Sequence, residues 1–269
     1  MKIYFLIVLL TVGTSGQAQF IDPSGSSIQT RFVPPEGWVR VTVPMKSFGE
    51  NLRGLPLLKN GELVKYYDGT TKPNTGIYAA VLEQKIGKRD LHQCADAVMR
   101  LRADYLWRNK LYSQIHFNFT NGFVADYDSW RKGKRISVKG NTVKWVNGGV
   151  VSNDYNSFWK YLNMVFAYAG SMSLSKELVS VEIKDMQIGD VFIRGGHPGH
   201  TAIVVDMIVD PLTGKKKFLL AQSFMPAQQT HVLWNPNVKG NDPWYPLNFG
   251  VMLITPEFSF YDTELMRFK

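Results

Sequence analysis

A strand–turn–strand pattern in the last third of the chain constrains the fold more than any other feature. Asp190-Val191-Phe192-Ile193 leads through a glycine-rich turn, Gly195 to Gly199, into His200-Thr201-Ala202-Ile203-Val204-Val205-Asp206. A second run, Lys217-Phe218-Leu219-Leu220-Ala221-Gln222-Ser223, returns after the turn Asp210-Pro211-Leu212-Thr213-Gly214. Two apolar runs split by a Pro/Gly turn predict an antiparallel hairpin. His200 stands at its mouth, with Gln222 and Ser223 on the return strand.

Helical patterns come earlier. Residues 90 to about 110 read as a helix, with Asp90 as N-cap and Gln93 completing a capping-box-like pair. Leu91, Cys94, Val98, Leu101 and Tyr105 recur on one face as an apolar stripe, and Arg100 one turn after Asp96 offers a flanking ion pair. Asn153 or Asp154 caps a second helix, striped by Tyr155, Phe158, Trp159, Leu162, Val165 and Phe166 and ending by Gly170. Residues 19 to about 85 are rich in Gly and Pro, with short β-prone runs at 38–43 and 77–82. Helices first and sheet later give an α+β class. The organisation expected is one domain over 19–269, with a β-rich N-terminal extension and an insertion at about 111–180.

Composition narrows the setting. Met1-Lys2 and the apolar run Ile3 to Val12 end in Gly16-Gln17-Ala18, the pattern of a signal peptide over 1–18, cleaved near Ala18. The expectation is an exported protein, periplasmic or secreted, without a membrane span. The formal charge is +9, scattered in short clusters at 131–135 and 215–217, which read as solvated turns. No nucleic-acid motif is present. His197 and His200 lack the carboxylates or second cysteine a metal site needs, so no metal and no cofactor is expected. Oligomeric state is not legible.

Cys94 is the single cysteine. Near a helix start, free N–H groups favour a thiolate; on an apolar stripe, burial favours an inert thiol. His200 is the candidate base, and Gln222 or Ser223 the group that orients it, with Gln222 favoured. Asp96, Ser223, His231 and Trp234 are candidates to contact substrate, the last two by lining a cleft. Most of the aromatic residues fit helical core positions.

The stretch from Lys184 through Gly189-Asp190-Val191-Phe192-Ile193 to Gly199-His200-Thr201-Ala202 resembles the second half of NlpC/P60 and CHAP cysteine hydrolases. That resemblance implies a papain-like core, a cysteine-bearing helix packed on an antiparallel sheet, with Cys94 as nucleophile, His200 as base and Gln222 as orienting residue. The Gln93-Cys94-Ala95-Asp96 context departs from the Asp-Cys-Ser-Gly of that group. Across nearly its whole length the chain also resembles the exported bacterial family called domain of unknown function 4846, on the block Arg89 to Ala97, the Gly-Asp-Val-Phe to Gly-His stretch, and Leu220 to Gln228. That likeness implies no activity. The function expected is an exported cysteine hydrolase cleaving amide bonds of peptide or cell-wall peptide. The alternative is a non-catalytic envelope module that binds glycan or peptide on the same scaffold.

Overall fold

The computed structural model describes residues 20–269; the signal-peptide pattern expected over 1–18 lies outside them. A nine-stranded antiparallel sheet organises the chain. Its main path runs Tyr78–Val81, His231–Leu233, Lys216–Gln222, His200–Val209, Val191–Arg194, Leu265–Arg267 and Val179–Ser180. The short strands Val39–Arg40 and Tyr245–Pro246 pair on His200–Val209 and Lys216–Gln222 respectively. The expected hairpin is present, with Lys216 opposite Val209 and Ala221 opposite Ile203.

Alternation along the central strands sorts their side chains onto two faces. Val191, Ile193, Ile203, Val205, Leu219 and Ala221 face a large cluster built with the helices. Phe192, Ala202, Val204, Phe218 and Leu220 face a second cluster with Tyr245, Leu253 and Phe260. A strand covered on both sides needs few polar residues, which is why His200–Val209 is so apolar. Each Val, Leu, Ile or Phe among them contributes about 1.5–3 kcal/mol by leaving water.

The first face is covered by the helix Cys94–Arg108 and, behind it, the helix Tyr155–Tyr168. The latter begins where Asp154 accepts from the Ser157 N–H at 2.7 Å, as its sequence predicts. Its stripe holds at Phe158, Leu162, Val165 and Phe166, but Tyr155 is 38% exposed and Trp159 carries the Arg100 guanidinium 4.8 Å from its ring centre. The segment at 111–180 adds two hairpins, His116–Asn118 with Val124–Asp126 and Lys134–Lys139 with Thr142–Asn147. Phe117, Phe119, Tyr127 and Trp130 from this segment share the helix-side core.

Two glycines of the central motif are fixed by space. Gly189 has φ +101°, and a Cβ there would come within 2.9 Å of Phe48. At Gly199 a Cβ would meet the Gly196 carbonyl oxygen at 2.3 Å. Asp190 beside Gly189 is structural: Arg267 binds both its oxygens, at 2.6 and 2.8 Å. Among the described residues no helix is long and apolar enough to cross a membrane.

Candidate functional site

Cys94 is the first residue of its helix, after Gln93 as N-cap, rather than one turn inside a helix begun at Asp90. The reason is tertiary. Asp90 Oδ1 accepts from the Ala227 N–H at 2.6 Å and from Gln93 Nε2 at 3.0 Å, so the capping signal is used to tie down the 224–228 loop. Asp96 takes over the first turn, its Oδ2 accepting from the Gln93 N–H at 3.0 Å. Asp96 is buried with Oδ1 unpartnered, and burial pushes its carboxyl well above the usual range. Its expected partner Arg100 pairs instead with Asp104, Nε to Oδ2 at 3.4 Å.

The thiol is half-buried. Burial is the main cause that pushes it above its ordinary pKa, the Asp96 carboxylate adds to this, and the N–H groups of Ala95 and Cys94 pull weakly the other way. Thr201 is the strand residue beside it: its hydroxyl favours the thiolate slightly, yet makes no hydrogen bond of ordinary geometry. Cys94, Ala95, Asp96, Phe166, Phe224 and Phe258 help to line a cleft of about 330 Å³.

His200 follows Gly199 and precedes Thr201, so its side chain starts towards the face opposite the Cys94 helix. Its Nε2 lies 2.8 Å from Gln222 Oε1. The ring packs on Phe224, Phe258 and Phe260, with centroids 4.7, 5.1 and 5.9 Å away. Phe224 and Phe258 thus form a shared wall between the imidazole and the thiol cleft. No hydrogen bond among the described residues joins the thiol to the imidazole. Burial lowers the His200 pKa to about 4, Gln222 opposing and Lys72 adding to the shift, so the ring is neutral near pH 7. Nδ1 makes no hydrogen bond among the described residues, and the residue as a whole is 1% exposed.

The polar chain continues past Gln222. Its Nε2 donates to Glu257 Oε2 at 2.7 Å, and Lys72 Nζ donates to Glu257 Oε1 at 2.7 Å and Gln228 Oε1 at 2.8 Å. Lys72 and Glu257 carry no sequence signal: each is an isolated charge next to a proline, far from the motif. Ser223 is turned to the helix side, its hydroxyl donating to the carbonyls of His92 and Gln228 at 3.0 and 2.8 Å. His231 does not line the Cys94 cleft. It lies in the strand His231–Leu233, fully buried, and burial lowers its pKa to about 3. Trp234, partly buried beyond that strand, accepts from the Tyr245 hydroxyl at 2.6 Å through its carbonyl and does not line the Cys94 cleft. Of the expected site residues, then, His200 meets Gln222, and Cys94 and Asp96 share the cleft. Among the described residues no group of three or more His, Cys, Asp or Glu is placed to hold a metal ion.

Fold and site define a mixed α+β protein with a large antiparallel sheet and a cysteine at a helix start. The chain belongs to the family described as Domain of unknown function (4846), whose model matches residues 28–267. Comparison with curated proteins and with solved structures returned no match.

Proposed function

We propose that the protein is a cysteine hydrolase of amide bonds, with Cys94 as nucleophile, His200 as base and Gln222 as the residue that orients it. The observation that carries this reading is the His200–Gln222 contact, which occupies Nε2 and leaves Nδ1 without a protein partner in a ring packed on the wall of the Cys94 cleft. The order of helix cysteine, strand histidine and next-strand polar residue also resembles that of NlpC/P60-like hydrolases, and a peptide or cell-wall peptide is the proposed substrate.

The raised thiol pKa and the low imidazole pKa make the resting pair neutral rather than ionic. Attack therefore couples to proton transfer. As Sγ bonds to the carbonyl carbon, its proton passes to His200 Nδ1, a transfer that requires the Phe224 and Phe258 rings between them to move aside. The imidazolium then protonates the leaving amine as the C–N bond breaks. Water, deprotonated by the same ring, cleaves the thioester and restores the thiol. The N–H groups of Cys94 and Ala95 at the helix start are the oxyanion donors.

The test is hydrolysis of a peptide mixture that includes cell-wall peptides, followed by mass spectrometry. Products that require both Cys94 and His200, with a transient acyl adduct on Cys94, support the reading. Absence of products together with a thiol that iodoacetamide never labels in the folded protein sinks it. The half-buried thiol with its raised pKa favours a second reading, a cleft that binds peptide or glycan without chemistry. Under it, ligand binding survives in Cys94→Ala and no product appears.

A further inference from the structure

Glu257 lies in a tight turn closed by Thr255, whose N–H and hydroxyl both donate to the Phe258 carbonyl, at 2.9 and 2.7 Å. Lys72, with 4% of its side chain exposed, holds one carboxylate oxygen of Glu257, and Gln222 holds the other. This arrangement has a direction. A carboxylate beside an ammonium group only accepts hydrogen bonds, so Gln222 must offer it the NH2 end of its amide. The amide oxygen is then left for the imidazole. That oxygen also only accepts, so the His200 proton must be on Nε2.

We propose that the Lys72–Glu257 pair is a positioning device that sets the His200 tautomer through Gln222, making Nδ1 the basic nitrogen. Its consequence for catalysis rests on the hydrolase reading; the tautomer itself does not. Other groups at Glu257 leave this polarity intact. His231 Nε2 is 4.0 Å from Glu257 Oε2, but its Nδ1–H is spent on the Gln229 carbonyl at 2.9 Å, so the facing nitrogen has no proton to give. Lys72 Nζ also lies 5.7 Å from the centre of the Phe224 ring, which packs on His200, so the cation braces the same wall. With the carboxylate gone, the Gln222 amide is free to turn over. Its NH2 group would then favour a lone pair on Nε2 and move the proton to Nδ1, the wrong nitrogen for attack.

The experiment is proton–nitrogen correlation on the full chain labelled with 15N-histidine, read near neutral pH. Wild-type His200 is expected as a single Nε2–H tautomer. Glu257→Gln is expected to give a mixture of tautomers, and Glu257→Asp to restore the single form in part. Hydrolysis should fall on the order of 10²-fold in kcat for Glu257→Gln, with KM little changed. A wild-type Nδ1–H tautomer, or an unaltered Nε2–H population in Glu257→Gln, overturns the proposal. If Glu257→Gln fails to fold, Glu257→Ala gives the second reading, with the same mixture of tautomers expected, and the wild-type spectrum still gives the first. A Glu257-dependent tautomer without Cys94-dependent hydrolysis defeats the hydrolase reading alone. Cys94-dependent hydrolysis with a tautomer indifferent to Glu257 defeats the positioning role alone.

Discussion

The two ends of the strand His200–Val209 use the same backbone for opposite purposes. Near its far end, where the register with Lys216–Gln222 slips between Leu219 and Leu220, Asp206 is fully enclosed. Arg53 and Arg40 reach its two oxygens at 2.7 and 2.8 Å, and the Met207 N–H adds a third bond at 2.8 Å. The guanidinium groups are themselves anchored, Arg53 on the Val41 carbonyl and Arg40 on that of Gln29. At the near end, by contrast, Thr201 Oγ1 has no partner, His200 Nδ1 has none, and burial raises the pKa of the thiol beside Thr201. A closed set of polar groups stabilises a fold; an open set keeps capacity for a ligand or a reaction.

That contrast is broken most directly by exchanging effects between the ends. Cys94→Ala should lower hydrolysis on the order of 10⁴-fold or more, as loss of a nucleophile does. It should move Tm by no more than about 4 °C, roughly 1 kcal/mol for a chain of this size. Asp206→Ala should do the reverse by leaving two guanidinium groups without their carboxylate. The expected cost is about 3–5 kcal/mol, read by urea denaturation, with residual activity per folded molecule retained. If Cys94→Ala proves the more destabilising of the two, the thiol is a core element and the near end is not an open site.

Acid sensitivity gives a smaller effect with a defined sign. His92, His200 and His231 are held neutral, with pKa values of about 3, 4 and 3 against an ordinary 6.5. Below pH 6.5 the unfolded chain binds protons at these positions that the folded chain refuses. Stability from this source is complete above that pH and falls as the pH drops towards 4. Each ring contributes at most about 1.4 kcal/mol per pH unit within the window. Asp96, Asp104 and Glu177, whose pKa values burial raises, work against this trend by binding protons in the folded state. His231→Gln should therefore flatten the acid limb of a urea-midpoint-against-pH curve by about one proton's slope. An unchanged slope would mean that His231 is protonated in the folded protein.

How much of this the sequence carried depends on the range of the interactions. The central hairpin and the Tyr155–Tyr168 helix were legible because an apolar run or an Asp cap acts within a few residues. Alternation along one strand allows only one of Gln222 and Ser223 to face His200, but does not say which. The start of the Cys94 helix differs from its local signal because Asp90, a good local cap, is bound by the Ala227 N–H from a distant loop. The burial of His231 leaves little local pattern because its strand is only three residues long and pairs at both edges. Lys72 and Glu257 were invisible: an ion pair between isolated charges 185 residues apart leaves no local pattern.

The smallest expected effect is the sharpest on the near end itself. Thr201→Val keeps the side-chain shape and removes a buried hydroxyl that has no hydrogen-bond partner. Burying such a group costs free energy that valine does not, so the variant should be neutral or more stable by about 1 kcal/mol. The hydroxyl also favours the thiolate of Cys94, so its loss should raise the thiol pKa further and slow iodoacetamide labelling at a fixed alkaline pH. Both readouts come from one protein and point in different directions, stability up and thiol reactivity down. A fall in stability beyond about 1 kcal/mol would show that Thr201 is satisfied in solution, by an ordered water bridging to the thiol. The near end would then be as closed as the Asp206 end, and the difference between them would be one of exposure to the cleft rather than of unused bonding capacity.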